Sequence, residues 1–227
     1  MTHAPMTVEI WSDINCPFCY LGVYQFLEGL GGFDHRDDVT VVHRSFELDP
    51  TQPRGASADV VEHLAQTYGF SLEESAQGEI QIAEKATEFG LPYITSGRDF
   101  GDSFDMHRLV HYAADRDRAQ DLLLAFFHAN FADERTLFGS HERLVEIAVA
   151  EGFDEAQVRE VLADPDRYAD QVRGDENLAR ELKCQGVPYF VLDRHFVIAG
   201  AQPADVYADA LRQGWDHHVA NSADDKL

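Results

Sequence analysis

Cys16 and Cys19 bracket Pro17 and Phe18 where a short apolar run ends and a helical pattern begins, a placement few folds can use. The run before them, VEIWSD at 8–13, carries Val8, Ile10 and Trp11 and reads as a buried strand. After them Tyr20, Leu21, Tyr24, Leu27 and Leu30 recur at helical spacing up to Gly31 and Gly32. VTVVHRSFEL at 39–48 is β-branched and extended, so the chain opens as strand, cysteine pair, helix, strand. A cysteine pair in such a βαβ unit is a redox signal. The thiolate is the reacting form, and the unpaired N–H groups of a helix's first turn favour negative charge there. Cys16 is then the nucleophile, the more exposed and more readily ionised thiol, and Cys19 resolves from a turn deeper. Pro17 falls where its missing N–H costs little, and Phe18 helps tune the thiolate between the cysteines.

Two other uses of the pair stay open at this level. A structural zinc takes four ligands, whereas the third cysteine, Cys184, stands alone and no second CxxC occurs. Two buried thiols acting as small apolar groups are the other use. The chain has no phosphate loop, HExxH or GxSxG, so nucleotide, zincin and serine-hydrolase chemistry have no support.

Charge narrows the partners. Eighteen Lys and Arg stand against 41 Asp and Glu among 227 residues, a net charge of −23. Such a surface repels phosphate backbones, so neither nucleic acid nor an anionic membrane is an expected partner. The start, MTHAPMTVEIW, has no basic stretch followed by an apolar run, and no segment approaches the roughly 18 apolar residues of a membrane span. A cytoplasmic protein is expected, and structural disulfides are rare there.

The middle of the chain is helical in pattern. Ser57 is placed to cap a helix carrying Val60, Val61, Leu64 and Tyr68, and SLEE at 71–74 is a capping box opening a helix toward Gly90. SFDMHRLVHYAAD, AQDLLLAFFHANF and SHERLVEIAVAEG predict three more helices. Asp164-Pro165 reads as an N-cap with proline at the first helical position, opening a helix to about Cys184. Two short strands then flank a turn at Asp193-Arg194, a last helix starts near Pro203, and DHHVANSADDKL reads as a fraying tail.

SDINCPFCYLG near the start and GVPYFVLD with FVIAGAQP near the end resemble the DsbA-like thioredoxin family, and within it the FrnE-like subgroup, over about residues 7–215. The resemblance implies an α/β thioredoxin-like fold with a large all-helical insertion. Its parts are a first thioredoxin segment at 1–54, the insertion at 55–184, and a second thioredoxin segment with the tail at 185–227. It implies that Val187-Pro188 is a cis bond beside the cysteines, with backbone free to pair with an extended substrate strand. It also places the insertion over the active site, bringing His107 and Arg108 near the cleft; a solvated helix face is the alternative for His107. A sister group, the kappa-class glutathione transferases and 2-hydroxychromene-2-carboxylate isomerases, carries serine at the Cys16 position and lacks the resolving cysteine.

The expected activity is thiol–disulfide exchange by Cys16 and Cys19 on a protein or low-molecular-weight thiol, with no metal or organic cofactor. Val187, Pro188, Pro17 and Phe18 are the expected substrate contacts. Asp13, three residues before Cys16, is a turn residue that also has the chemistry to cap the helix or move a proton. Trp11 is expected in the core. Cys184 is expected to pack, with third-thiol exchange as its alternative. Two rivals remain: a thiol-dependent isomerase or transferase, and a non-catalytic binding or chaperone-like module on the same fold.

Overall fold

The computed structural model describes residues 4–224. β1 (Met6–Ser12) leads through α1 (Pro17–Gly31) to β2 (Val39–Ser45), which pairs parallel to β1 with Val8 opposite Val41 and Ile10 opposite His43. Parallel pairing needs such a crossover, and the helix between the strands supplies it. The chain then forms β3 (Ser57–Asp59), α2 (Val60–Tyr68), α3 (Leu72–Glu88), β4 (Asp99–Gly101) and α4 (Phe104–Ala114). Four more helices follow: α5 (Ala119–Phe131), α6 (His141–Ala150), α7 (Glu155–Ala163) and α8 (Ala169–Glu181). β5 (Tyr189–Leu192), β6 (Phe196–Ala199) and α9 (Ala204–Asp224) complete the order.

The main sheet has the order β2-β1-β5-β6, with β5 antiparallel to both β1 and β6. Asp193 and Arg194 both have positive φ, 45° and 56°, the backbone of a tight primed turn, which the His195 N–H closes on the Leu192 carbonyl at 2.9 Å within the three residues that join the strands. Asp193 also exchanges hydrogen bonds with Thr7 at 2.7 and 2.8 Å, so the turn is tied to the start of β1. β1 is buried along almost its whole length because both faces of the sheet are covered. Val8 and Ile10 join one continuous apolar core with Phe26 of α1, Leu109 of α4, Phe126 of α5, Val158 of α7 and Leu211 of α9. Trp11, Ala179 of α8 and Val191 form a smaller cluster. The Trp11 indole N–H donates to the Asp175 carbonyl at 2.9 Å, so Trp11 is a core residue.

Several local expectations change. Ser57 lies in β3 opposite Gly101, and Asp59 caps α2 instead, accepting from the N–H groups of Val61 and Glu62. The capping box at Ser71 and Glu74 is present. Asp164 ends α7 rather than starting the next helix, and α8 begins at Ala169. The reason is a buried cation: Arg108 Nη1 donates to the carbonyls of Val161, Asp164 and Arg167 at 2.7, 2.7 and 3.0 Å, holding that stretch as a turn. At the other end the helix runs on to Asp224 where a frayed tail was expected, while 225–227 lie outside the described residues. Trp215 stacks on His35, and His218 bonds Asp193 at 2.5 Å and the Ala4 carbonyl at 2.7 Å, which gives these turns a surface to pack on.

Candidate active site at the head of the first helix

The cap of α1 is Cys16 itself. Its φ and ψ are extended (−85° and 111°), Pro17 takes the first helical position, and its Sγ accepts the N–H of Cys19 at 3.2 Å. Its own N–H goes to the Asp13 carbonyl at 3.1 Å, so Asp13 shapes the turn into the helix but does not cap it. Across the cleft, Cys16 Sγ lies 3.6 Å from the Val187 carbonyl oxygen, and the Val187–Pro188 peptide is cis. Pro188 rests on α1 one turn after the cysteine pair: a Cβ added to Gly22 would stand 2.8 Å from the proline Cγ. Only glycine lets the two segments approach this closely.

Cys16 is not the solvent-facing thiol that sequence reasoning expects. It is 4% exposed, and Cys19 0%, because the Val187 carbonyl and the turn from Asp13 close over the helix head. Burial raises the Cys19 thiol well above its usual range, the Cys16 sulfur and the Asp13 carboxylate add to this, and the Asp13 main chain opposes it. Phe18, 44% exposed, is the outward residue of the motif, and Pro17 is half-buried. Cys184, half-buried after α8, donates to the Gly186 carbonyl at 3.2 Å, and burial raises its thiol too.

Asp13 is fully buried and accepts the N–H groups of Leu48 at 2.6 Å and Asn15 at 3.2 Å. His107 is no solvated residue: it is 2% exposed, with Nε2 3.5 Å from Asp13 Oδ1. Burial alone would lower its imidazole, but the Asp13 carboxylate, with the charges of Glu47 and Glu176, holds it above its usual value. His111, one turn on, meets a different carboxylate, Asp175 Oδ2, at 3.0 Å. Arg108 points away into the α7–α8 joint, also bonding Asp105 at 2.7 Å. Among the described residues no three His, Cys, Asp or Glu side chains converge to hold a metal ion.

Other buried polar residues that sequence reasoning passes over hold the helical segment against the cysteine loop. Asn15 pairs in both directions with Gly101, at 2.8 and 3.3 Å. Asn130 of α5 donates to the Ile14 carbonyl at 2.8 Å and accepts from Arg98, whose guanidinium is paired at 2.7 Å with Glu79 of α3. Arg98 and Glu79 are each 2% exposed in their side chains, a pair that only a fully hydrogen-bonded setting makes tolerable. Asn15 beside the first cysteine was the one available sequence signal; the others depend on which helix faces meet.

A thiol thus caps its own helix beside a Val-Pro carbonyl on a β2-β1-β5-β6 sheet. The model of the DsbA-like thioredoxin domain matches residues 7–212. The chain belongs to that family. It is 52% identical to a probable DsbA oxidoreductase from Streptomyces coelicolor, with TM-score 0.89 over 93% of this chain and 90% of that one. Two further solved structures share the fold at lower identity. One is a 2-hydroxychromene-2-carboxylate isomerase (18% identical, TM-score 0.64, covering 96% and 98% of the two chains). The other is the cytosolic disulfide reductase DsbM of Pseudomonas aeruginosa, solved with GSH (19%, TM-score 0.63, covering 92% and 99%). No helix among the described residues is long and apolar enough to cross a membrane.

Proposed function

We propose that this DsbA-family protein exchanges disulfides through Cys16 and Cys19. The observation that carries the reading is the position of Cys16 Sγ, accepting the Cys19 N–H at 3.2 Å while facing the Val187 carbonyl at 3.6 Å. A thiolate formed there is stabilised by the first turn of α1. It attacks one sulfur of a substrate disulfide, the other sulfur leaves as a thiolate, and a mixed disulfide forms. Cys19 then attacks Cys16, releasing the second substrate thiolate and leaving a Cys16–Cys19 disulfide; the reverse sequence oxidises a dithiol. An extended substrate segment docks by pairing with the backbone before Pro188, while exposed Phe18 and neighbouring Pro17 form the apolar side of the groove. The substrate is a protein or low-molecular-weight thiol or disulfide, the setting the cytoplasm, and the chemistry needs no metal or organic cofactor.

Trapping tests this. With a disulfide substrate, Cys19→Ser should accumulate a mixed disulfide on Cys16, seen as a mass increase that a strong reductant reverses. Cys16→Ser should fall to background exchange, and Cys184→Ser should change little. Full activity in Cys16→Ser with no trapped partner in Cys19→Ser would favour a thiol-dependent isomerase or transferase. Activity surviving the double substitution would favour a binding or chaperone-like module.

A further inference from the structure

Tyr68, Phe70 and Leu72 are the three most exposed large apolar side chains among the described residues, at 60, 54 and 57%. A single exposed apolar residue is ordinary, but three within five residues form a patch. It caps the α2–α3 hairpin and runs on along α3, where Leu72, half-buried Ala76, exposed Ile80 and half-buried Ala83 share one stripe.

The turn that carries the patch is fixed. Gly69 ends α2 at a φ of 75°, and its N–H donates to the Ala65 carbonyl at 3.0 Å. Ser71 and Glu74 close the capping box of α3 with bonds of 2.8 and 3.1 Å. The residue before such a box often packs on the fourth helical residue. Here that residue is Ser75, buried with its hydroxyl unpartnered, so Phe70 has no apolar side chain to pack on there. It lies instead beside Tyr68, with ring centres 6.0 Å apart. A patch already held in shape loses little conformational entropy on binding.

Charge sets what fits it. From Asp59 to Glu88 seven carboxylates stand against one lysine, Lys85. Glu79 is paired with Arg98, whereas Glu73 and Glu84 flank the stripe on α3 and Glu62 is exposed on α2. A second copy would set this acidic rim against its own, and an anionic lipid surface would be repelled as well. The complement is a polypeptide segment whose apolar side chains are flanked by lysine or arginine.

The root of the hairpin lies at the cysteine loop. His63 of α2 stacks on Phe100 with ring centres 3.8 Å apart, Gly101 pairs with Asn15, and Cys16 follows Asn15. Tyr68 stands one and a half helical turns beyond His63, about 8 Å along the axis. Exposed Phe18 and exposed Leu48, whose N–H bonds Asp13, lie on the cysteine side.

We infer that the α2–α3 hairpin is a docking arm for polypeptide substrates, engaging an apolar, basic segment of a protein whose disulfide reacts at Cys16. The substrate class rests on the exchange chemistry proposed above, whereas docking itself does not.

The probe is a short fluorescein-labelled peptide of alternating leucine and lysine, followed by anisotropy with the full-length protein. The same peptide with one added cysteine, joined to a second copy through its disulfide, probes exchange. Tyr68→Ser, Phe70→Ser and Leu72→Ser combined should weaken binding and raise KM for the disulfide peptide about tenfold, with kcat unchanged. Glu62→Gln, Glu73→Gln and Glu84→Gln combined should weaken binding about threefold and flatten its salt dependence. Glutathione disulfide is anionic and has no apolar side chain, so its exchange should match the parent in both variants. All six side chains are exposed, and such changes leave stability almost unaltered.

Equal binding by the apolar variant, or equal binding of a leucine–glutamate peptide, would overturn the arm. So would a dimer in sedimentation equilibrium, or adsorption to phosphatidylcholine vesicles, that the apolar variant abolishes. The face would then belong to a second copy or to lipid. Exchange with glutathione disulfide but no binding of the peptide would overturn the arm and leave the dithiol chemistry standing. Binding without exchange of either disulfide would overturn the dithiol chemistry and leave the docking surface.

Discussion

His43 shows how a single buried side chain sets a pH limit. It sits in β2 opposite Ile10, 7% exposed, and neither ring nitrogen has a hydrogen-bond partner among the described residues. Burial, partly offset by the Gln120 amide, pushes its imidazole down to about 4 from an ordinary 6.5. A depressed folded value means its stabilising contribution is complete above pH 6.5 and is lost as pH falls through about 4. The amount is roughly 3 kcal/mol. Glu47 acts in the opposite sense: raised to about 7, its contribution is complete below 4.5 and is lost as pH rises through 7. The two oppose each other between pH 8 and pH 4, so in urea unfolding His43→Leu, freed of the acid loss, should gain stability relative to the parent as pH falls. Identical acid limbs in the two proteins would contradict this assignment. At this same scale Cys16, Cys19, Pro17 and Phe18 are legible in the sequence because they are neighbours whose roles follow from one helix start. His107 is not: a histidine in a helical pattern faces water or core depending on what packs against it.

Between elements, the α7–α8 joint is the clearest case of one side chain deciding chain path. Arg108 is 1% exposed, yet its guanidinium satisfies three main-chain carbonyls and pairs with Asp105. The Asp164-Pro165 dipeptide is compatible with a helix start, and local propensity predicts one there. The tertiary donor wins because three carbonyls gathered on one cation outweigh a single N-cap bond. Replacing it by methionine keeps the apolar length and leaves those carbonyls unpaired. Arg108→Met should lose about 3 kcal/mol in urea unfolding, and amides of 164–169 should exchange faster than those of α1. A loss below about 0.5 kcal/mol, the range of ordinary surface changes, would show that the joint holds without it. β4, only three residues long, and α7, whose start at Asp154 carries no capping box, were too short or too weakly marked to be read beforehand.

The whole molecule carries −23 of net charge on one shared core. Self-repulsion of that size opposes the compact state, and salt screens it over a distance that shrinks from about 30 Å at 0.01 M to about 10 Å at 0.1 M. Calorimetry should show Tm rising by about 3 °C between low and moderate sodium chloride, equivalent to roughly 1 kcal/mol for a chain of this length. We expect a single transition. The thioredoxin segments proposed at 1–54 and 185–227 and the helical insertion proposed at 55–184 all contribute side chains to the same apolar cluster. Two resolved transitions, or a Tm that falls with salt, would count against this.

Sequence alone determined the βαβ opening, the cysteine pair at a helix head, the β5–β6 hairpin and the capping box at Ser71, because each depends on contacts within a few residues. Its resemblance to the DsbA-like family further supplied the partner segment at Val187-Pro188. Only the tertiary structure decided how far Cys16 is covered, that Asp13 meets His107, and that Glu47 and Glu176 converge on Arg173. These depend on segments from 34 to 163 residues apart in the sequence, on the numbering of Asp13, Glu47 and Glu176. Burial and the sign of neighbouring charge are properties of the space between such segments, and no local pattern encodes them.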